Sequence, residues 1–213
     1  MLRAQISKNE GDDAETRVLL EQLLDHPETE YLAAKSLSDA AQKQQMLPQA
    51  LSFAERAHRV NPKEAQGAWA VFDLHVNGGH FQEAEAHARH ARKTGAFSRA
   101  DFSTAKGKIS LRQAENSYTN GNKEHALVLA QAAVKALPGD VKAAELCSRL
   151  YVESHKPDKA LAVIQAQWKK APSPALARLF HQATEESKPT KKAKLIEKLV
   201  ASNGAAAENV LLG

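Results

Sequence analysis

Small and apolar side chains return along this chain at a long, nearly constant interval. Thr16, Ala50, Ala84, Ala126 and Ala160 form one series, and Leu23, Ala57, Ala91, Ala133 and Gln167, seven residues further on, form a second. A short side chain at the first series lets the two antiparallel helices of a hairpin approach closely, and the second falls where the second helix meets the next hairpin. Five residues before the first series stand Gly11, Gly79 and Gly121. A residue without Cβ takes the left-handed conformation that ends a helix at such a point. Gln45 and His155 fill that place in the other full units, which predicts turns of different detail there. Pro48, Pro157 and Pro189 each follow a turn at a first helical position, where a missing N–H costs nothing.

The remaining prolines give the same interval independently. Pro138 and Pro172 lie 34 residues apart, Pro27 and Pro62 lie 35 apart, and Pro62 to Pro138 is two periods plus eight. Each is placed to stop a second helix. A period of 34 with small residues at constant offsets is the signature of tetratricopeptide (TPR) hairpins. It predicts an all-α fold, a right-handed α-α superhelix of about five to six hairpins in one solenoid domain covering 1–213. The units are a partial one over 1–30, then 31–64, 65–98, 107–140, 141–174 and 175–204, with a partial helix over 205–213. Arg99 to Lys106 are eight extra residues, and the third unit closes with Gly95-Ala96 where a proline is expected. Phe102, Ala105 and Ile109 keep helical spacing through the insertion, predicting a first helix of about six turns in the fourth unit. Met1 to Ser7 is too short for a complete first helix, and Asn209 to Gly213 begins another, so a segment of a longer protein is expected.

Composition agrees with close helix packing: hydrophobic residues make up 43% of the 213, alanine dominates them, and aromatics are only 5%. The longest apolar stretch, His125 to Leu137, is broken by Gln131 and Lys135, so nothing in it reads as a bilayer span. No charged segment followed by an apolar run opens the chain as a signal peptide would. Cys147 stands alone and offers neither a disulfide framework nor a thiolate metal site. The net charge of +4 is uneven: residues 1–60 hold seven Lys/Arg against ten Asp/Glu, and residues 141–204 hold twelve against six. Lys188, Lys191, Lys192, Lys194 and Lys198 concentrate the positive end, which reads as a solvated outer face of the last hairpin, the sharper alternative being an electrostatic contact with an anionic partner or membrane surface. No aromatic residues interleave with these lysines, so nucleic acid is not an expected partner.

Beyond the repeat, the order of segments resembles the TPR region of the bacterial haem-biosynthesis-associated HemY family. The stretches that carry the resemblance are Gly11–Glu30, Gln49–Pro62, Gly95–Lys108 with the insertion, Lys156–Leu179 (KPDKALAVIQAQWKKAPSPALARL) and Leu195–Gly204 (LIEKLVASNG). It implies a bacterial inner-membrane protein anchored by an N-terminal hydrophobic hairpin, with the TPR part on the cytoplasmic side and haem-pathway enzymes as partners. This sequence departs from that pattern by lacking the hairpin, so membrane association would run through a segment not in this chain. The family implies no catalytic residue, and none is assigned.

In a TPR stack the first helices line the concave groove, and positions 2, 5, 9, 12 and 13 of each unit face a ligand. The partner-binding candidates are therefore Lys35, Asp39, Gln66, Trp69, Asp73, Asn77, Leu111, Glu115, Tyr118 and Arg149, with Trp69 and Tyr118 as aromatic anchors. Trp69 packed between helices is the competing reading. The Lys/Asn pattern that grips a C-terminal carboxylate is absent, because Asp39 follows Lys35. No Ser/His/Asp arrangement, phosphate loop or HExxH motif is present, so the chain is expected to be no enzyme and to need no cofactor. His75, His80, His87 and His90 crowd the third unit, and His87 and His90 share one helix face. They are the weak candidates for a metal or haem iron, against which stand the convex position of second helices, the lack of a nearby carboxylate that completes a site, and the frequency of solvated histidines.

Overall fold

A computed structural model describes residues 13–185 and 187–202, and every regular element among them is a helix. The expectations placed on Met1–Ser7, Gly11 and Asn209–Gly213 lie outside the described residues. In chain order the helices are α1 (Asp13–Leu23), α2 (Pro27–Lys43), α3 (Leu47–Val60), α4 (Ala65–Asn77), α5 (Phe81–Thr94) and α6 (Arg99–Thr119). They continue with α7 (Lys123–Ala136), α8 (Val141–Glu153), α9 (Pro157–Trp168), α10 (Pro174–Ala183) and α11 (Pro189–Ser202). The chain divides into two units, Met1–Ala105 and Lys106–Gly213, described in turn below.

In the first unit each of α1 to α4 packs on the next helix in sequence. The small-residue series explains how: Thr16, Ala50 and Ala84 are all buried, as are Ala57 and Ala91 of the second series. The close approach at Ala50 lets the Ser38 hydroxyl of α2 donate to the Ala50 carbonyl at 2.9 Å. Pro27 opens α2, so this first helix begins four residues earlier than Tyr31, where the expected unit starts. The unit closes without proline because Gly95 ends α5 in the left-handed conformation, φ +87°. The Phe97 N–H then reaches back to the Ala91 carbonyl at 3.0 Å, and the Phe97 ring is fully buried. Ser98 and Asp101 form a reciprocal cap on α6: the Asp101 N–H bonds Ser98 Oγ at 3.0 Å and the Ser98 N–H bonds Asp101 Oδ2 at 2.8 Å.

In the second unit α8 packs on α7, α9 and α10, while α9 packs on α8, α10 and α11. This neighbour-on-neighbour pattern is how stacked hairpins bury a continuous core. Ala126, Ala133 and Ala160 are fully buried, and Gln167 is nearly so while donating to the Gly139 carbonyl at 2.8 Å. Trp168, Ile164, Leu176, Phe180 and Leu199 form the largest core cluster. Cys147 is buried in a second cluster with Ala126 and Leu150, and burial pushes its thiol up to about 11, so it is an inert core residue. The insertion is absorbed as expected: α6 is a continuous helix of 21 residues.

The expected difference between turns does not occur. Gln45 (φ 59°) and His155 (φ 55°) take the same left-handed conformation as Gly79 (φ 78°) and Gly121 (φ 80°). The following N–H closes the same bond at all four turns, Met46 to Ala41, His80 to His75, Asn122 to Ser117 and Lys156 to Tyr151, at 2.8–2.9 Å. The hairpin geometry overrides the preference of the residue that occupies it.

Candidate functional site

The partner-facing candidates of the first unit stand on α2 and α4. Lys35 donates from Nζ to Gln66 Oε1 at 2.7 Å, which joins consecutive first helices through their outward side chains. Asp39 and Asn77 are exposed and Asp73 is half-buried. Trp69 behaves as the competing reading has it, since its ring lies 4.4 Å from Phe97 and 5.3 Å from Phe72 between centroids. It is half-buried, so an edge still reaches the surface. The Gly95 turn delivers Phe97 beneath it.

The candidates of the second unit stand on α6 and α8. Leu111 packs against the Cys147 cluster and is not an outward anchor. Glu115 pairs with Arg112 at 3.0 Å, and Arg149 is exposed. Tyr118 donates its hydroxyl to Glu153 Oε1 at 2.7 Å, and Lys123 Nζ pairs with Glu153 Oε2 at 2.8 Å. Burial alone would raise Glu153, but its bonds from Lys123 and Tyr118 outweigh that and hold the carboxyl below its usual range. The bond to Glu153 in turn raises the Tyr118 hydroxyl. In the first unit Tyr31 donates to Glu64 at 3.0 Å, a tyrosine–glutamate contact near the helix N-termini and not at their C-terminal ends. The repeat pattern by itself does not predict these Tyr–Glu links. Their sequence signal is a Tyr followed by a Glu about one period later.

The histidines assemble differently from the expectation. His75 lies 6.3 Å from His80 and 6.4 Å from His87 between ring centroids. The nearest ring to His87 is His58, at 5.2 Å and an interplanar angle of 66°. His58 was not among the candidates, although it directly follows Ala57, the small residue through which α3 meets the next hairpin. A cleft of about 290 Å³ opens between α3, α4 and α5, with His58, His87 and His90 in its wall and Val71 behind them. Glu55 and Arg59 also line it. His87 donates Nε2–H to the Ala68 carbonyl at 3.0 Å. Burial, then His58, pushes His87 down to about 4. Burial likewise lowers His58 and His75. Among the described residues no three His, Cys, Asp or Glu side chains stand in position to hold a metal together.

Lys188, Lys191, Lys194 and Lys198 are exposed, Lys192 is half-buried, and Lys191 reaches Asp158 only at 3.5 Å. Among the described residues no helix is long and apolar enough to cross a membrane.

No protein-family model matches the chain, and no curated protein does either. Solved structures do match in fold. MamA (residues 41 to the end) from Desulfovibrio magneticus RS-1 is similar at 16% identity, over 82% of this chain and 96% of that one, with TM-score 0.51. PilW, a widely conserved type IV pilus biogenesis factor, is similar at 14% identity, over 96% and 91% of the two chains, with TM-score 0.50. YrrB, a TPR protein with an unusual peptide-binding site, aligns at 14% identity over 89% and 96%, with TM-score 0.46. The fold is that of tetratricopeptide hairpins.

Proposed function

We propose that this chain is a non-enzymatic scaffold that binds partner proteins along the outward face of its first helices. The observation that supports the proposal is the set of polar side chains that the first helices carry within each unit. In the first unit Asp39, Gln66 and Asn77 are exposed on α2 and α4 and Lys35 is half-buried; in the second, Arg149 is exposed on α8 while Glu115 and Tyr118 of α6 are half-buried. Behind them the hairpins are closed by fully buried alanines. Hairpin arrays use such repeated outward positions to recognise extended or helical peptides. Trp69 contributes an aromatic edge at the surface while its other face holds Phe97. A Trp69→Ala variant therefore perturbs the fold and is a poor probe of binding.

The finer reading is that the chain corresponds to the soluble part of a HemY-type inner-membrane protein, held on the cytoplasmic side through a segment outside it, with haem-pathway enzymes as partners. The stretches Gly95–Lys108 and Lys156–Leu179 support it, since they resemble that family where generic repeats do not.

Photo-crosslinking residues placed singly at Asp39, Asn77 and Arg149, and for comparison at Arg89 and Val128 on second helices, test both levels. The first-helix sites are expected to capture a shared set of proteins that includes haem-pathway enzymes. Equal capture of that set from Arg89 and Val128 would sink the scaffold face. Capture from the first helices without any haem enzyme would leave the scaffold and remove the haem assignment.

A further inference from the structure

The cleft between α3, α4 and α5 holds an arrangement that packing does not explain. His58 is 9% exposed, and both its ring nitrogens are buried without a hydrogen-bond partner in the protein. A neutral imidazole carries one N–H donor and one lone pair, and a buried ring normally satisfies both. His87, in the same wall, has its tautomer set from outside the cleft. A carbonyl only accepts, so the bond to Ala68 places the proton on Nε2 and leaves the lone pair on Nδ1. That is how histidines are held when they ligate a metal, with the far N–H on a backbone carbonyl. The separation fits as well. Two imidazoles on one tetrahedral ion, each bound through nitrogen at about 2.0–2.1 Å, have centroids about 5 Å apart. His58 and His87 lie 5.2 Å apart.

We propose that His58 and His87 form a two-histidine site for a nitrogen-preferring divalent transition ion of the zinc, nickel or copper kind. Glu55, one turn before His58, and His90, one turn after His87, line the same cleft and are exposed, so either reaches the ion by turning its side chain. Water completes the coordination, because the described side chains offer no third ligand already in place. A cleft of about 290 Å³ lies at the lower edge of small-molecule sites, which suits an ion better than a macrocycle. The site is independent of the partner-binding face.

Titration of the intact chain with Zn²⁺ by calorimetry tests the proposal. One saturable site is expected, weakened at least about ten-fold in His58→Gln and in His87→Gln, and unchanged in the distant His26→Gln and His155→Gln variants. Imidazole resonances of the wild-type protein followed during the same titration read the site without any substitution. Shifts confined to His58, His87 and His90 support it even if a variant fails to fold. Absence of saturable binding, as when a water satisfies His58, overturns the proposal. So does binding that survives both cleft substitutions.

Discussion

Tyr118 and Glu153, 35 residues apart in sequence, meet at 2.7 Å. The phenol of one first helix thus closes on the carboxylate at the end of the next, and Lys123 secures the other carboxylate oxygen. Bonds to charged groups contribute more than neutral ones, but this one lies near solvent, which weakens it. Tyr118→Phe is expected to cost about 1 kcal/mol in urea denaturation. Glu153→Gln, which removes the charge that both partners share, should cost at least as much. No change in either would show that the link is dispensable.

The four equivalent turns make an internal comparison. A non-glycine residue in the left-handed region costs about 1–2 kcal/mol, against which glycine loses roughly 0.5–1 kcal/mol of chain entropy. Gln45→Gly and His155→Gly are therefore expected to stabilise the protein by about 0.5–1 kcal/mol. Gly79→Ala should destabilise it by about 1 kcal/mol, purely through φ, since a Cβ there would meet nothing within 4 Å. Thermal midpoints of the three variants check the signs.

Gly107 gives the opposite case to helix propensity. It lies inside α6, where alanine is ordinarily better by about 1 kcal/mol. A Cβ at Gly107 would stand 2.6 Å from Leu137 Cγ and 2.9 Å from Ala136 Cβ at the end of α7. Gly107→Ala is expected to destabilise by about 1–3 kcal/mol, as overpacking does. Stabilisation on urea denaturation would mean that Leu137 moves aside freely.

The histidine cluster makes the first unit acid-sensitive. Burial first, then neighbouring rings, lowers His87 to about 4, while the unfolded chain takes up that proton near pH 6.5. The unfolded state therefore binds more protons between these values, and stability falls as pH drops from about 6.5 to about 4, then levels off for this group. Glu55, Glu64 and Glu83 oppose the effect on His58 and His75, while His90 and His80 reinforce it. The full His87 shift corresponds to roughly 3 kcal/mol; because the ring is partly exposed, a loss of about 2 kcal/mol is expected. Trp69 lies in the first unit and Trp168 in the second. Trp69 fluorescence in a Trp168→Phe background should show the first unit losing stability over this range, and His87→Gln should flatten the slope.

Much of this protein was determined by its sequence alone. The interval between Ala50, Ala84, Ala126 and Ala160 determined the hairpins, because only short side chains allow such helix contacts, and all four are buried. Helical spacing through Phe102, Ala105 and Ile109 likewise foretold the long α6. What tertiary structure decided were the groups whose roles depend on the packed hairpins around them. Gln45 and His155 are left-handed because the hairpin closes there, whatever side chain it finds. Trp69 stacks on a Phe97 delivered by the Gly95 turn, and Tyr118 meets a glutamate one period on. His58 reached His87 only when α3 and α5 were brought together, since side-chain periodicity records which face is buried and not which ring lies opposite.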